Sequence, residues 1–153
     1  MIKSWMIIGI VTIAVAFAGN IFRPDDVRWF RRLRRPKWLT FEALIPVIWS
    51  IVFIGGAWSA YLVWEANPGA TQIWWLMAFY LLLEITIVAY SPITLRFHNL
   101  KAGTVIGAIG FVLGCALTVL VFPISALAAL LLLPYLVLSP IGTYTTWVMD
   151  KLN

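Results

Sequence analysis

Residues 102–122 read AGTVIGAIGFVLGCALTVLVF. The run carries no charged side chain and, at 1.5 Å per helical residue, is long enough to cross a hydrocarbon core of roughly 30 Å. Backbone amides in lipid have no water to bond, so such a run is either a helix or a strand of a closed barrel. The period-two alternation of a barrel strand is missing, which leaves the helix. Gly103, Gly107, Gly110 and Gly114 fall at spacings of four, three and four and share one face of that helix. A small-residue face lets a second backbone come close, inside the molecule or across a homodimer, and the spacing leaves both open.

Four more runs read the same way, at about 4–22, 42–64, 72–95 and 125–149. The whole chain of 153 residues is 63% hydrophobic and 11% charged, with a mean hydropathy of +0.96. Soluble domains carry about a quarter charged residues, so the surroundings are lipid. The expected fold is all-α: one domain over residues 1–153, an integral membrane bundle of five transmembrane helices. Asn67-Pro68-Gly69 and Pro123 with Ser125 mark short connections and antiparallel neighbours. Pro46, Pro92, Pro134 and Pro140 lie within the apolar runs, where each frees a carbonyl that other groups must satisfy. Lys3, the first apolar run and Ala16-Phe17-Ala18 before Gly19 also resemble a signal peptide, but the segment is read as a retained span.

Charge fixes the expected orientation. Residues 28–38, RWFRRLRRPKW, hold Arg28, Arg31, Arg32, Arg34, Arg35 and Lys37, six of the eleven basic residues. Arg23 joins them in the first connection, Arg96 and Lys101 sit in the third, and Lys151 is in the tail; with five spans these segments share a face opposite Lys3. The positive-inside rule then places the N-terminus outside and the C-terminus in the cytoplasm, which suits a bacterial plasma membrane. The net charge of +5 is spread between greasy runs, so its partner is the anionic headgroup layer of the bilayer and not nucleic acid.

Conventional active sites are missing. Cys115 and His98 are the single cysteine and single histidine, too few for a closed zinc site, and no metal is expected. There is no HExxH, serine elbow or phosphate-cradling glycine loop, so conventional catalysis is improbable and no cofactor is required. Glu84 is the exceptional residue. It stands mid-span with no lysine or arginine inside any span to neutralise it, and should be neutral or bonded to a hydroxyl such as a threonine on another helix. Trp5, Trp64, Trp74, Trp75 and Trp147 lie near span ends, where an aromatic belt is expected. Trp49 and Phe53, four residues apart, share a face of the second span.

Trp29-Phe30-x-x-Leu33-x-Arg35-Pro36-x-Trp38, followed by Trp49 and by Tyr61-Leu62-Val63-Trp64, resembles the translocator protein family, also called the tryptophan-rich sensory proteins. Length, five spans and the pair Pro134-Tyr135 match as well. The resemblance implies a five-helix bundle around a pocket that opens toward the first loop and binds tetrapyrroles (haem, protoporphyrin) or sterols as carrier, transporter or sensor. Light-dependent porphyrin breakdown and a scaffold acting through the glycine face are the alternatives. On this resemblance the ligand-binding residues are Asn20, Trp29, Phe30, Trp38, Pro46, Trp49, Phe53, Tyr90 and Leu138; Glu84, by its mid-span charge alone, has either a polar role in proton or ligand handling or a structural hydrogen bond. The arginine loop doubles as anchor and lid, offering a guanidinium to a porphyrin propionate. Thr40-Phe41 stands where the family has Pro-Pro, and Leu83, Ile87 and Tyr90 where it places glutamine, asparagine and tryptophan. Leu138 replaces a tryptophan and Thr146 an asparagine, so the pocket should be more apolar than the family pattern.

Overall fold

The computed structural model describes residues 1–153 and contains helices without strands. In chain order they are α1 (Ser4–Ala18), α2 (Pro24–Arg32), a 3-10 turn (Glu42–Leu44) leading into α3 (Ile45–Ala66), α4 (Thr71–Arg96), α5 (Leu100–Val121), α6 (Ala126–Leu131) and α7 (Leu133–Leu152). Four helical units, Glu42–Ala66, Thr71–Arg96, Leu100–Val121 and Ala126–Leu152, are long and apolar enough to cross a membrane, and α1 is a shorter apolar helix. This is a membrane helical bundle. Only 27 of 153 residues are buried, and leucine, isoleucine, valine and tryptophan side chains face outward along every long helix, a surface that lipid tolerates and water does not.

Two boundaries differ from those expected. The first span stops at Ala18, not at residue 22, because the chain turns at Gly19: Gly19 N–H donates to Val15 O, Asn20 N–H to Phe17 O and the Asn20 side-chain amide to Ala16 O at 2.7 Å. Gly19 is buried there, and a Cβ on it would stand 3.0 Å from the carbonyl of Val88, the carbonyl that Pro92 deprives of its helical donor. The last span is two helices, broken at Leu132 just ahead of Pro134. Leu132 N–H turns back to Ala129 O, and the Ala128 carbonyl accepts the Ser59 hydroxyl at 2.7 Å. Gly55 keeps α3 close to the same break, since a Cβ on it would lie 2.9 Å from Leu131 O.

The arginine-rich connection is partly helical. Pro24 opens α2, Asp25 and Asp26 occupy its first turn, and Arg31 and Arg32 its last, an order that matches the helix dipole at both ends. These start and stop signals stand in the sequence.

α5 packs chiefly against α7 and α4, and its glycines are where they meet. Added Cβ atoms at Gly110 and Gly114 would lie 2.6 Å from the Tyr135 hydroxyl and ring respectively; one at Gly107 would collide with Thr143, and one at Gly103 with Thr94. The four glycines thus face partners within the chain. The core fills the end of the bundle around α6, where Val63, Leu117, Val121 and Ala128 are fully buried.

Candidate functional site

A cavity of about 610 Å³ lies between α1, α3 and α4, floored by Leu131, Leu132 and Tyr135 at the α6–α7 break. Its walls come from Ile7, Ile8, Val11 and Thr12 of α1, from the stretch of α3 between Val52 and Trp64 and from the stretch of α4 between Trp74 and Ile87. On α4 the lining residues Tyr80, Leu83, Glu84 and Ile87 repeat at three, four and seven, one helical face turned inward. On α3 the small residues Gly56, Ala57 and Ala60 leave the space that the cavity occupies, and nothing lies within 4 Å of where a Gly56 Cβ would be.

Of the 23 lining residues 19 are hydrophobic, so the few polar atoms set the chemistry. Tyr80 OH is already engaged, 2.6 Å from the Ser59 hydroxyl, in the chain that runs on to Ala128 O. Thr12 faces the Glu84 carboxyl, yet Glu84 Oε1 is buried with no hydrogen-bond partner. No lysine or arginine lines the cavity. At its rim the Ser4 hydroxyl donates to Glu65 at 2.6 Å, clasping the start of α1 to the end of α3. Trp64 and Trp74, a T-shaped pair with ring centres 4.9 Å apart, form the wall beside that clasp.

The residues named from the sequence divide into three groups. Phe53 and Glu84 line the cavity. Trp49 lies partly buried against the Tyr135 ring, 6.3 Å between centres, and Leu138 packs on the same core, both outside the cavity lining. Tyr90 hydrogen-bonds Thr146, which ties α4 to α7.

The remaining candidates gather at the opposite end of the bundle. Asn20 is exposed and caps α1 through Ala16 O; Pro46 is exposed in the first turn of α3, its carbonyl accepting Ser50. Trp29 stacks on the His98 ring, with centres 4.6 Å apart and planes 8° from parallel, while His98 Nε2 stands 3.0 Å from Oδ1 of the buried Asp26. Phe30 lies beneath the Arg35 guanidinium. Arg35 donates to Leu33 O and Arg31 O and pairs with Glu42, which knots the loop onto the start of α3. Asn153 holds the Arg34 backbone through both its side-chain oxygen and nitrogen. Trp38, 43% exposed, stacks beside Tyr144. The mouth expected under the arginine loop is not where this cavity lies: α2 and its loop are fastened over their end of the bundle, and the open volume is at the Ser4–Glu65 end.

Thr12 and Tyr80 are polar residues that the sequence does not bring forward, and Ser59 stands in it only as a small residue of the second span. Each is a hydroxyl within an apolar run, and Tyr80 is one of several in α4, so the sequence alone does not single them out.

A five-helix membrane bundle with a tryptophan-bearing first loop fits the sequence profile of the TspO/MBR family, which matches residues 7–152. The chain belongs to the TspO/MBR family. Relatives include the membrane protein YtaB of Bacillus subtilis, 26% identical with 94% of this chain and 92% of that protein covered. The tryptophan-rich protein TspO of Bacillus cereus is 26% identical over 99% of this chain and 97% of its own length. The TspO of Chlorobaculum tepidum is 31% identical over 92% and 90%. In this TspO/MBR protein the inward face of α4 is apolar around Glu84, which Leu83 and Ile87 flank.

Proposed function

We propose that this TspO/MBR protein binds a hydrophobic small molecule in the cavity between α1, α3 and α4 and acts as a membrane carrier or sensor for it. One observation carries the reading: a cavity of about 610 Å³, within the size range of ligand sites, is walled by apolar and aromatic side chains around very few polar atoms. Tetrapyrroles and sterols are the ligand classes that the family resemblance brings forward. A sterol, one polar group on an apolar body, matches this lining better than a porphyrin, whose propionates would find no cation in it. The orientation that goes with the reading puts the arginine loop in the cytoplasm and the Ser4–Glu65 end of the cavity toward the outer leaflet.

The test is a titration of the protein in nanodiscs with protoporphyrin, haem and a sterol, each read by quenching of, or energy transfer from, the tryptophans. Trp64 and Trp74 are placed to report occupancy. Saturable signals that vanish in Gly56→Phe support the site; signals identical in that variant and in wild type refute it.

A further inference from the structure

Within that cavity we propose a subsite for a cation: the ligand class it favours is a lipophilic amine whose ammonium group meets Glu84 while its apolar body lies along α1 and α3. The inference rests on the reading that the cavity takes a ligand, and it adds that ligand's chemistry.

Three observations converge on it. First, Glu84 Oε1 is buried and has no hydrogen-bond partner, with only Thr12 facing the carboxyl. A mid-membrane carboxyl is retained at considerable cost unless something bonds it, and an N–H donor supplies that bond. Secondly, no lysine or arginine lines the cavity, so the protein brings no internal counter-ion and a ligand cation would meet no like charge. Lys3, at the same end, is exposed and is not part of the lining. Thirdly, the route to Glu84 is itself suited to cations. Glu65 stands at the rim on the Ser4 clasp, and the aromatic rings of Trp64, Trp74 and Phe53 line the wall, where a ring face attracts an ammonium through its quadrupole. The arginines that would suit an anionic ligand are at the other end of the bundle, in and around α2.

The experiment compares a tricyclic tertiary amine with its uncharged carbon isostere, in nanodiscs of zwitterionic lipid with empty nanodiscs as the blank. Wild type should bind the amine about tenfold or more tightly than the isostere, the lower end of what a hydrogen bond to a charged group contributes. In Glu84→Gln that preference should fall toward one. Amine binding to wild type should also shift the infrared carboxyl stretch that Glu84→Gln abolishes, a readout that needs no affinity from the variant. Isostere and amine binding wild type equally, or an unmoved carboxyl band at saturation, would overturn the cation subsite and leave the cavity reading standing. No saturable binding of either compound would also overturn the cation subsite, and the sterol and porphyrin titration with Gly56→Phe then decides the cavity reading by itself.

Discussion

Ser59 Oγ stands 2.7 Å from the carbonyl oxygen of Ala128 and 2.6 Å from the hydroxyl of Tyr80, so one α3 side chain joins α4 to the helix break between α6 and α7. The break frees the Ala128 carbonyl, and in a membrane interior only another protein group can satisfy it. Ser59 is fully buried and Ala128 likewise, which makes this bond a condition for the break and not an ornament of it. The cavity depends on it too, because Leu131, Leu132 and Tyr135 at the break form its floor.

Ser59→Ala should therefore destabilise the bundle by about 1–3 kcal/mol, the cost of leaving a buried acceptor unpaired. Tyr80→Phe should cost less, because it keeps the Ser59 to Ala128 bond. Thermal unfolding in detergent, followed by helical circular dichroism, ranks the two. A Ser59→Ala protein as stable as wild type would show that the carbonyl has another partner.

Two glycines should respond in opposite ways to enlargement. At Gly114 a new Cβ lies 2.6 Å from the Tyr135 ring, so Gly114→Leu must push α7 away from α5 and cost about 1–3 kcal/mol or more. At Gly56 nothing stands within 4 Å, and the added side chain enters the cavity. Gly56→Leu should match or exceed wild-type stability, since glycine is a poor helix residue, and should weaken hydrophobic ligand binding. Melting temperature and ligand titration on the same samples separate packing from occupancy.

How far the sequence alone reaches is visible in these same residues. The long apolar runs and the α5 glycine face needed nothing but composition and spacing, because lipid leaves a backbone so few choices. Glu84 was also legible, being a charge where charges are expensive. The position of the cavity was not. It depends on the α6–α7 break and on small residues of α3 lying opposite α4, each a tertiary relation invisible along one chain. Asn20 and Pro46 come forward as pocket residues only by resemblance; in the structure Asn20 caps α1 and Pro46 lies in the first turn of α3.

Arg35 holds the first loop by three contacts of two kinds: hydrogen bonds to Leu33 O at 2.7 Å and Arg31 O at 3.0 Å, and an ion pair with Glu42 at 3.2 Å. Lysine keeps the charge but cannot divide it among three acceptors in a planar fork. Arg35→Lys should speed hydrogen exchange of residues 33–42 several-fold, nearly as much as Arg35→Ala, with the transmembrane helices unaffected. Full protection in Arg35→Lys would mean that charge alone holds the loop.

His98 gives the sharpest separation of backbone from side chain. It sits just past the end of α4 with φ +48°, and Asn99 N–H reaches back to Thr94 O while His98 N–H bonds Leu95 O, the arrangement that usually places glycine at this position. A side chain in the left-handed region costs roughly 1–2 kcal/mol. The chain keeps histidine there, and its ring carries the Asp26 contact and the Trp29 stack that dock α2. His98→Ala loses the docking and retains the backbone cost; His98→Gly loses the docking but removes that cost. The glycine variant should therefore be about 1 kcal/mol more stable than the alanine variant. Both should show the same faster hydrogen exchange across Pro24–Arg32, because α2 has lost its latch in each. An alanine variant as stable as the glycine one would place the cost of φ +48° elsewhere, and unchanged exchange in α2 would mean that the stack does not hold it.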